Sequence, residues 1–139
     1  MARFEVQGLE TLSEQLMRMD RRENARRIVA AGADACAKAL SERMKKQGHI
    51  QTGSMLESVQ PGRYHEDLDV CWQEVYPQGD DARGVSNAKK AFVINYGYGG
   101  RRTAKTGDKF ITGKKEALKQ TVGEAMKAEA EKILKETRE

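Results

Sequence analysis

A chain of 139 residues, 38% hydrophobic and 33% charged, is one domain's worth of sequence with apolar material for a modest core. It has no window near the ~20 consecutive apolar residues of a membrane span, and its two cysteines are too few for a disulfide scaffold. The net charge of +4 is unevenly spread: residues 51–90 hold four basic and seven acidic side chains, and residues 91–119 hold seven basic and two acidic.

The opening stretch "MARFEVQGLE" lacks an apolar h-region, so a secretory signal is not expected and a cytoplasmic origin is. Phe4 and Val6 alternate with polar residues up to Gly8, which predicts a short strand over 3–7. Leu9, Leu12, Leu16 and Met19 stand three and four apart and predict a helix over 9–19. From Arg22 to Gln47 there is no proline, and Ile28, Gly32, Cys36, Leu40 and Met44 recur every four residues. This is a long central helix, 22–47, with Gly48 as its C-cap and small residues that let another element approach closely. Cys36 belongs to its buried side, and Cys36 and Cys71 both read as free, inert thiols.

Thr52-Gly53 is a turn, and Ser54 followed by Glu57 has the spacing of a capping box. Ser54 is therefore expected to cap one helical turn whose Met55 or Leu56 enters the core. Segments near 58–64 and 68–76 read as hairpin arms about a polar turn at His65–Asp67, with Pro61-Gly62 marking a bulge, bend or sheet edge and Leu68, Val70 and Trp72 on one face. Residues 77–90 have two glycines and no apolar period, which predicts a long, mobile exposed loop. Asp80 and Asp81 within it are candidates for an acidic interface. In "AFVINY", Phe92, Ile94 and Tyr96 alternate with Ala91, Val93 and Asn95, the pattern of a strand over 91–96. Gly97, Gly99 and Gly100 then open a basic arm near 97–110 that carries Arg101, Arg102, Lys105 and Lys109. Leu118, Val122, Ala125, Met126 and Ile133 mark one face of a closing helix over 114–136. The expected fold is a single α+β domain over 1–139: a small antiparallel sheet of three to four strands packed against the long central helix and the C-terminal helix.

Chemistry-bearing patterns are sparse. The phosphate-loop motif G-x-x-x-x-G-K-[ST] does not occur, and Gly97-x-Gly99 lacks the later glycine and the helix start of a dinucleotide fingerprint. His49 and His65 read as surface histidines, Asp67 and Asp69 as a solvated hairpin end, and Asp80-Asp81 lack calcium-loop spacing. No catalytic, cofactor-binding or metal-ligating residue is assigned, and no enzyme is expected. The basic run from Arg101 to Lys115, flanked by Tyr96, Tyr98 and Phe110, is open to three readings: a solvated loop, a nucleic-acid contact or an assembly arm.

Three stretches, taken in order, narrow the choice. "QTGSMLESV" resembles a T-G-x-L-x-x-S-[IV] element that follows a long helix, through Thr52, Gly53, Ser58 and Val59, with its leucine one place late at Leu56. "KKAFVINYGYGG" resembles an apolar strand ending in [EN]-[FY]-G-[TSHY], through Asn95, Tyr96 and Gly97. "DKFITGKKEAL" resembles an element in which an aromatic-apolar pair opens the C-terminal helix, through Phe110-Ile111 and Ala117-Leu118, without the usual preceding Ala-Arg-Pro. Together, over roughly residues 20–135, the chain resembles the tail-component, or head–tail joining, family of long-tailed bacteriophages and prophages. The resemblance implies a non-enzymatic virion protein, similar to tail-terminator and tail-completion proteins, that forms a ring, expected to be hexameric, where capsid meets tail. Its implied partners are further copies of itself, neighbouring connector or tail-tube proteins and, in passing, packaged DNA, with no membrane. Its implied location is the host bacterial cytoplasm during assembly and the virion afterwards. In such a ring Arg101, Arg102, Lys105 and Lys109 face DNA or the acidic Asp80 and Asp81 of the next subunit. The alternative is a small cytoplasmic nucleic-acid-binding protein that uses the basic arm, with a steep salt dependence.

Overall fold

The computed structural model describes residues 12–14, 16–17, 22–48, 53–68, 70–98, 105–107 and 109–138. Their elements run α1 (Arg22–Lys46), α2 (Ser54–Ser58), β1 (Val59–Asp67), β2 (Val70–Pro77), α3 (Asn87–Tyr96), β3 (Gly97–Tyr98), β4 (Lys105–Thr106) and α4 (Lys115–Arg138). The class is α+β. β1 and β2 form an antiparallel hairpin, and β3 and β4 a separate ladder of two residue pairs. The expected three- to four-stranded sheet is therefore two two-stranded sheets among the described residues. The expected strand 3–7 lies outside the described residues, as does much of the helix expected over 9–19, of which residues 12–14 and 16–17 are helical.

Sequence sets α1 directly. An alanine-rich run without proline favours helix, Glu23 opens it, and Arg43, Lys45 and Lys46 in the last turn complement its dipole. The helix stops where Gly48 takes a left-handed φ of 73° and the Gly48 N–H turns back to the Lys45 carbonyl at 3.1 Å. Its buried stripe is Gly32, Ala33, Ala37, Leu40 and Met44. α4 packs along it where Gly32 has no side chain. A methyl group at Gly32 would sit 2.7 Å from Met126 Cγ, so the glycine sets how closely the two helices approach. Arg27 ties the same pair together, with 2.9 Å to Glu129 and 2.8 Å to Glu136.

The hairpin lies against α1, with the Arg26 guanidinium 4.9 Å above the Tyr64 ring and Arg22 paired to Glu66 at 3.0 Å. Its register runs from Val59 opposite Pro77 to Asp67 opposite Val70, and shifts between Pro61 and Tyr64. Of the bulge, bend or sheet edge expected at Pro61-Gly62, the register shift is that of a bulge. The turn falls later than expected, at Leu68, whose N–H bonds Asp67 Oδ1 at 2.9 Å. The face that Leu68, Val70 and Trp72 share is the exposed one. Pro77 is buried and Val75 packs on the core, and the two-residue period then sends Trp72, Val70 and Tyr76 outward.

Further expectations are corrected. Residues 91–96 are the end of α3 and not a strand. Ser86 caps that helix by accepting from the Lys89 N–H, and Asn87, Ala91 and Asn95, four apart, form its buried side. The irregular segment expected over 77–90 accordingly ends before Asn87. At α2, Ser54 is the first helical residue, not the cap. Gly53, with φ 75°, occupies the cap position, and no side chain caps the helix. Met55 does enter the core, as expected.

That core gathers Ala37, Leu40, Met44, Met55, Val59, Ala91 and Phe110, with Val75, Ile94, Ile111 and Leu118 packed around it. Complete burial of a side chain such as Phe110 contributes about 1.5–3 kcal/mol.

Candidate assembly surface

Asn95 is fully buried at the end of α3. Its Oδ1 accepts from the backbone N–H groups of Ile111 at 2.9 Å and Thr112 at 3.2 Å, and its Nδ2 donates to Thr112 Oγ1 at 3.2 Å. Its carbonyl accepts from the Lys109 N–H at 3.0 Å. One asparagine therefore supplies two acceptor oxygens and one donor to loop 109–112. Gly107 passes so close to the Asn95 carbonyl that any side chain there would overlap it. From the other side Arg43 donates to the carbonyls of Phe110 at 3.1 Å, Gly113 at 2.8 Å and Lys114 at 2.9 Å. Held between Asn95 and Arg43, Phe110 is driven into the cluster with Met44, Met55 and Ala91.

The three stretches that carried the resemblance thus meet at one node, and their residues act there as scaffold. Gly53 and Gly97 hold left-handed backbone, with φ 75° and 79°. Ser58 Oγ donates to the Met55 carbonyl at 2.7 Å. Asn95 clamps the loop and Phe110 fills the core. Tyr96 is the exception, being exposed. Thr52 lies outside the described residues.

The charged candidates divide. Arg101 and Arg102 lie outside the described residues, while Lys105 starts β4, paired with Tyr98 across the ladder. Lys109 is exposed beside buried Phe110, with a left-handed φ of 52°. Asp80 is exposed and bridges to Ser86. Asp81 is used within its own turn: Oδ1 accepts from the Arg83 and Val85 N–H groups, each at 2.9 Å, and Oδ2 pairs with Lys90. The Lys90 ammonium and then the Val85 N–H hold this carboxyl low, at about 2. Of the two aspartates, Asp80 is the one left facing outward.

The apolar surface was not expected from sequence. α3 is inverted relative to an ordinary surface helix. Its inner side carries Asn87, Ala91 and Asn95, and its outer stripe carries Lys89, Phe92, Val93 and Tyr96 at i, i+3, i+4 and i+7. Phe92 is 61% and Tyr96 57% exposed, with ring centroids 4.7 Å apart. The outer face of the hairpin shows Val70, Trp72 and Tyr76, with the His65 ring stacked on Trp72 at 5.3 Å. Tyr76 lies across Gly62, which leaves room for its ring. The available signal for α3 was Ser86 ahead of the Asn87, Ala91, Asn95 period. The alternation of aromatic residues concealed it.

Cys36 and Cys71 are free and half-buried, so Cys36 is less enclosed than expected. Burial pushes its thiol above the ordinary value, which lowers its nucleophilicity at neutral pH. Among the described residues no group of three or more His, Cys, Asp or Glu side chains is placed to hold a metal ion. Nor, among them, is any helix long and apolar enough to cross a membrane. No family model, curated protein or solved structure gives a significant match to this chain.

Proposed function

We propose that this chain is a non-enzymatic virion assembly protein of a tailed phage or prophage, a ring-forming component of tail completion or of the head–tail junction. The observation that carries the proposal is the inverted helix α3, whose aromatic residues face outward while its asparagines face the core. A chain with a modest core loses stability by leaving such residues in water, unless another surface covers them. An assembly protein has that other surface in its final state. The resemblance to the head–tail joining family supports the same reading, because its motif residues serve here to hold a compact node and leave the outer surfaces available for contacts.

The test is a stop codon in the gene within the phage or prophage that carries it. The expected result is filled heads and separate tails, with joining restored when the chain is supplied from a plasmid. Normal yields of infectious, joined particles overturn the proposal. If particles are unaffected and the purified chain binds DNA with a steep salt dependence, the nucleic-acid-binding alternative takes its place.

A further inference from the structure

We infer that the outer stripe of α3 on one copy docks onto the outer face of the β1–β2 hairpin on the next copy, in a head-to-tail contact. The inference rests on the ring-forming reading above and names the two surfaces that close it.

The hairpin is one layer of a two-layer arrangement. α1 covers its inner face, and the outer face has no covering element among the described residues. Sheets are stabilised by a layer on each apolar face, and a helix is one such layer. α3 presents an exposed helical stripe of matching chemistry. Phe92, Val93 and Tyr96 on the helix correspond in number and kind to Val70, Trp72 and Tyr76 on the hairpin: two aromatic rings and one valine each. Aromatic residues of this kind are enriched where two proteins meet.

Charge selects the pairing. The helix stripe begins at Lys89, whereas the hairpin face has Glu74 between Trp72 and Tyr76, and Asp67 opposite Val70. Neither Lys89 nor Glu74 forms an ion pair among the described residues. The neighbouring Lys90, by contrast, is held by Asp81. A parallel helix-against-helix contact would set Lys89 near Lys89, and hairpin against hairpin would set Glu74, near the middle of its face, close to Glu74, so like charge disfavours these self-pairings. Helix against hairpin satisfies both. Because the two surfaces differ, each contact leaves one helix stripe and one hairpin face free on the assembly, which is the condition for a ring or an open filament rather than a closed dimer.

The experiment is analytical ultracentrifugation of the full chain and its variants. Wild type is expected to form oligomers that grow with concentration. Phe92→Asp and Trp72→Asp are each expected to be monomeric, with helical content unchanged by circular dichroism. An equimolar mixture of the two is expected to form a dimer and nothing larger, since one intact helix stripe and one intact hairpin face remain. Should either variant fail to fold, charge reversal carries the test. Glu74→Lys or Lys89→Glu alone is expected to weaken association about tenfold at low salt, and both in one chain to restore it. A folded Phe92→Asp chain that keeps the wild-type oligomer, a mixture that stays monomeric, or charge reversals that do not compensate overturn the inference. A chain that joins particles yet never self-associates overturns it and leaves the virion reading standing. A chain that associates through these faces but is dispensable for particles overturns the virion reading alone.

Discussion

Asn95 illustrates how a polar residue comes to lie at the centre of a small core. Its Oδ1 satisfies two part-buried backbone N–H groups, of Ile111 and Thr112. Replacing it by alanine leaves two part-buried donors without this acceptor, and a fully buried orphan costs about 1–3 kcal/mol. Asn95→Ala is therefore expected to lose roughly 2–4 kcal/mol in chemical denaturation, with early proteolysis in segment 109–113; an unchanged midpoint would show that the clamp contributes nothing. Asp81 makes a different prediction. Its carboxyl is held at about 2 against an ordinary 3.8, chiefly by Lys90. A carboxyl with a depressed folded value stabilises the fold above the ordinary value, and that stabilisation disappears as pH falls through the folded value. Stability should thus decline between about pH 4 and pH 2, and Asp81→Asn should flatten that decline. Glu136 is also held low, by Arg27, so the flattening will be partial. A pH titration of the thermal midpoint for both proteins checks it.

At the level of elements, the start of α2 separates two explanations that look alike on paper. A capping box places the stabilisation in the Ser54 hydroxyl. The folded chain places it in the backbone of Gly53, whose φ of 75° an L side chain resists. Gly53→Ala is expected to destabilise the protein by about 1–2 kcal/mol, while Ser54→Ala should stay within about 0.5 kcal/mol. Urea denaturation of the two variants side by side decides the matter, and the reverse order would restore the capping box. α3 carries the same lesson over a longer stretch. Six residues of "AFVINY" fit both a period of two and a helical repeat. The choice is made outside those six, by the Ser86 cap and by Asn87 pinned through its Nδ2 to the Gln78 carbonyl at 3.0 Å.

Across the described residues, the outer stripe of α3 and the outer face of the hairpin remain open while the interior is held by a limited cluster of side chains. A protein in this condition gains stability from anything that covers those surfaces, and self-association makes that gain depend on concentration. The thermal midpoint of wild type is expected to rise with protein concentration, and that of Phe92→Asp to stay constant. Differential scanning measurements across a wide concentration range test this, and a midpoint independent of concentration in wild type counts against self-association.

The sequence by itself determined the long helices and the hairpin. Each is recognised by a local period sustained over many residues: the four-residue repeat from Ile28 to Met44, the stripe from Leu118 to Ile133, and two arms around a polar turn. It also identified Gly53, Asn95, Gly97 and Phe110 as special, without showing that their work is to lock three separate segments together. Only the tertiary structure decided which face of β2 is covered, that 91–96 is helical, and that Asp81 turns inward to Lys90 while Phe92 and Tyr96 turn outward. The physical reason is that burial is a relation between distant segments. A strand with apolar residues on both faces has no local way to rank them, and a short aromatic run satisfies either period until Met55, Ala91 and Phe110 meet in the core and choose.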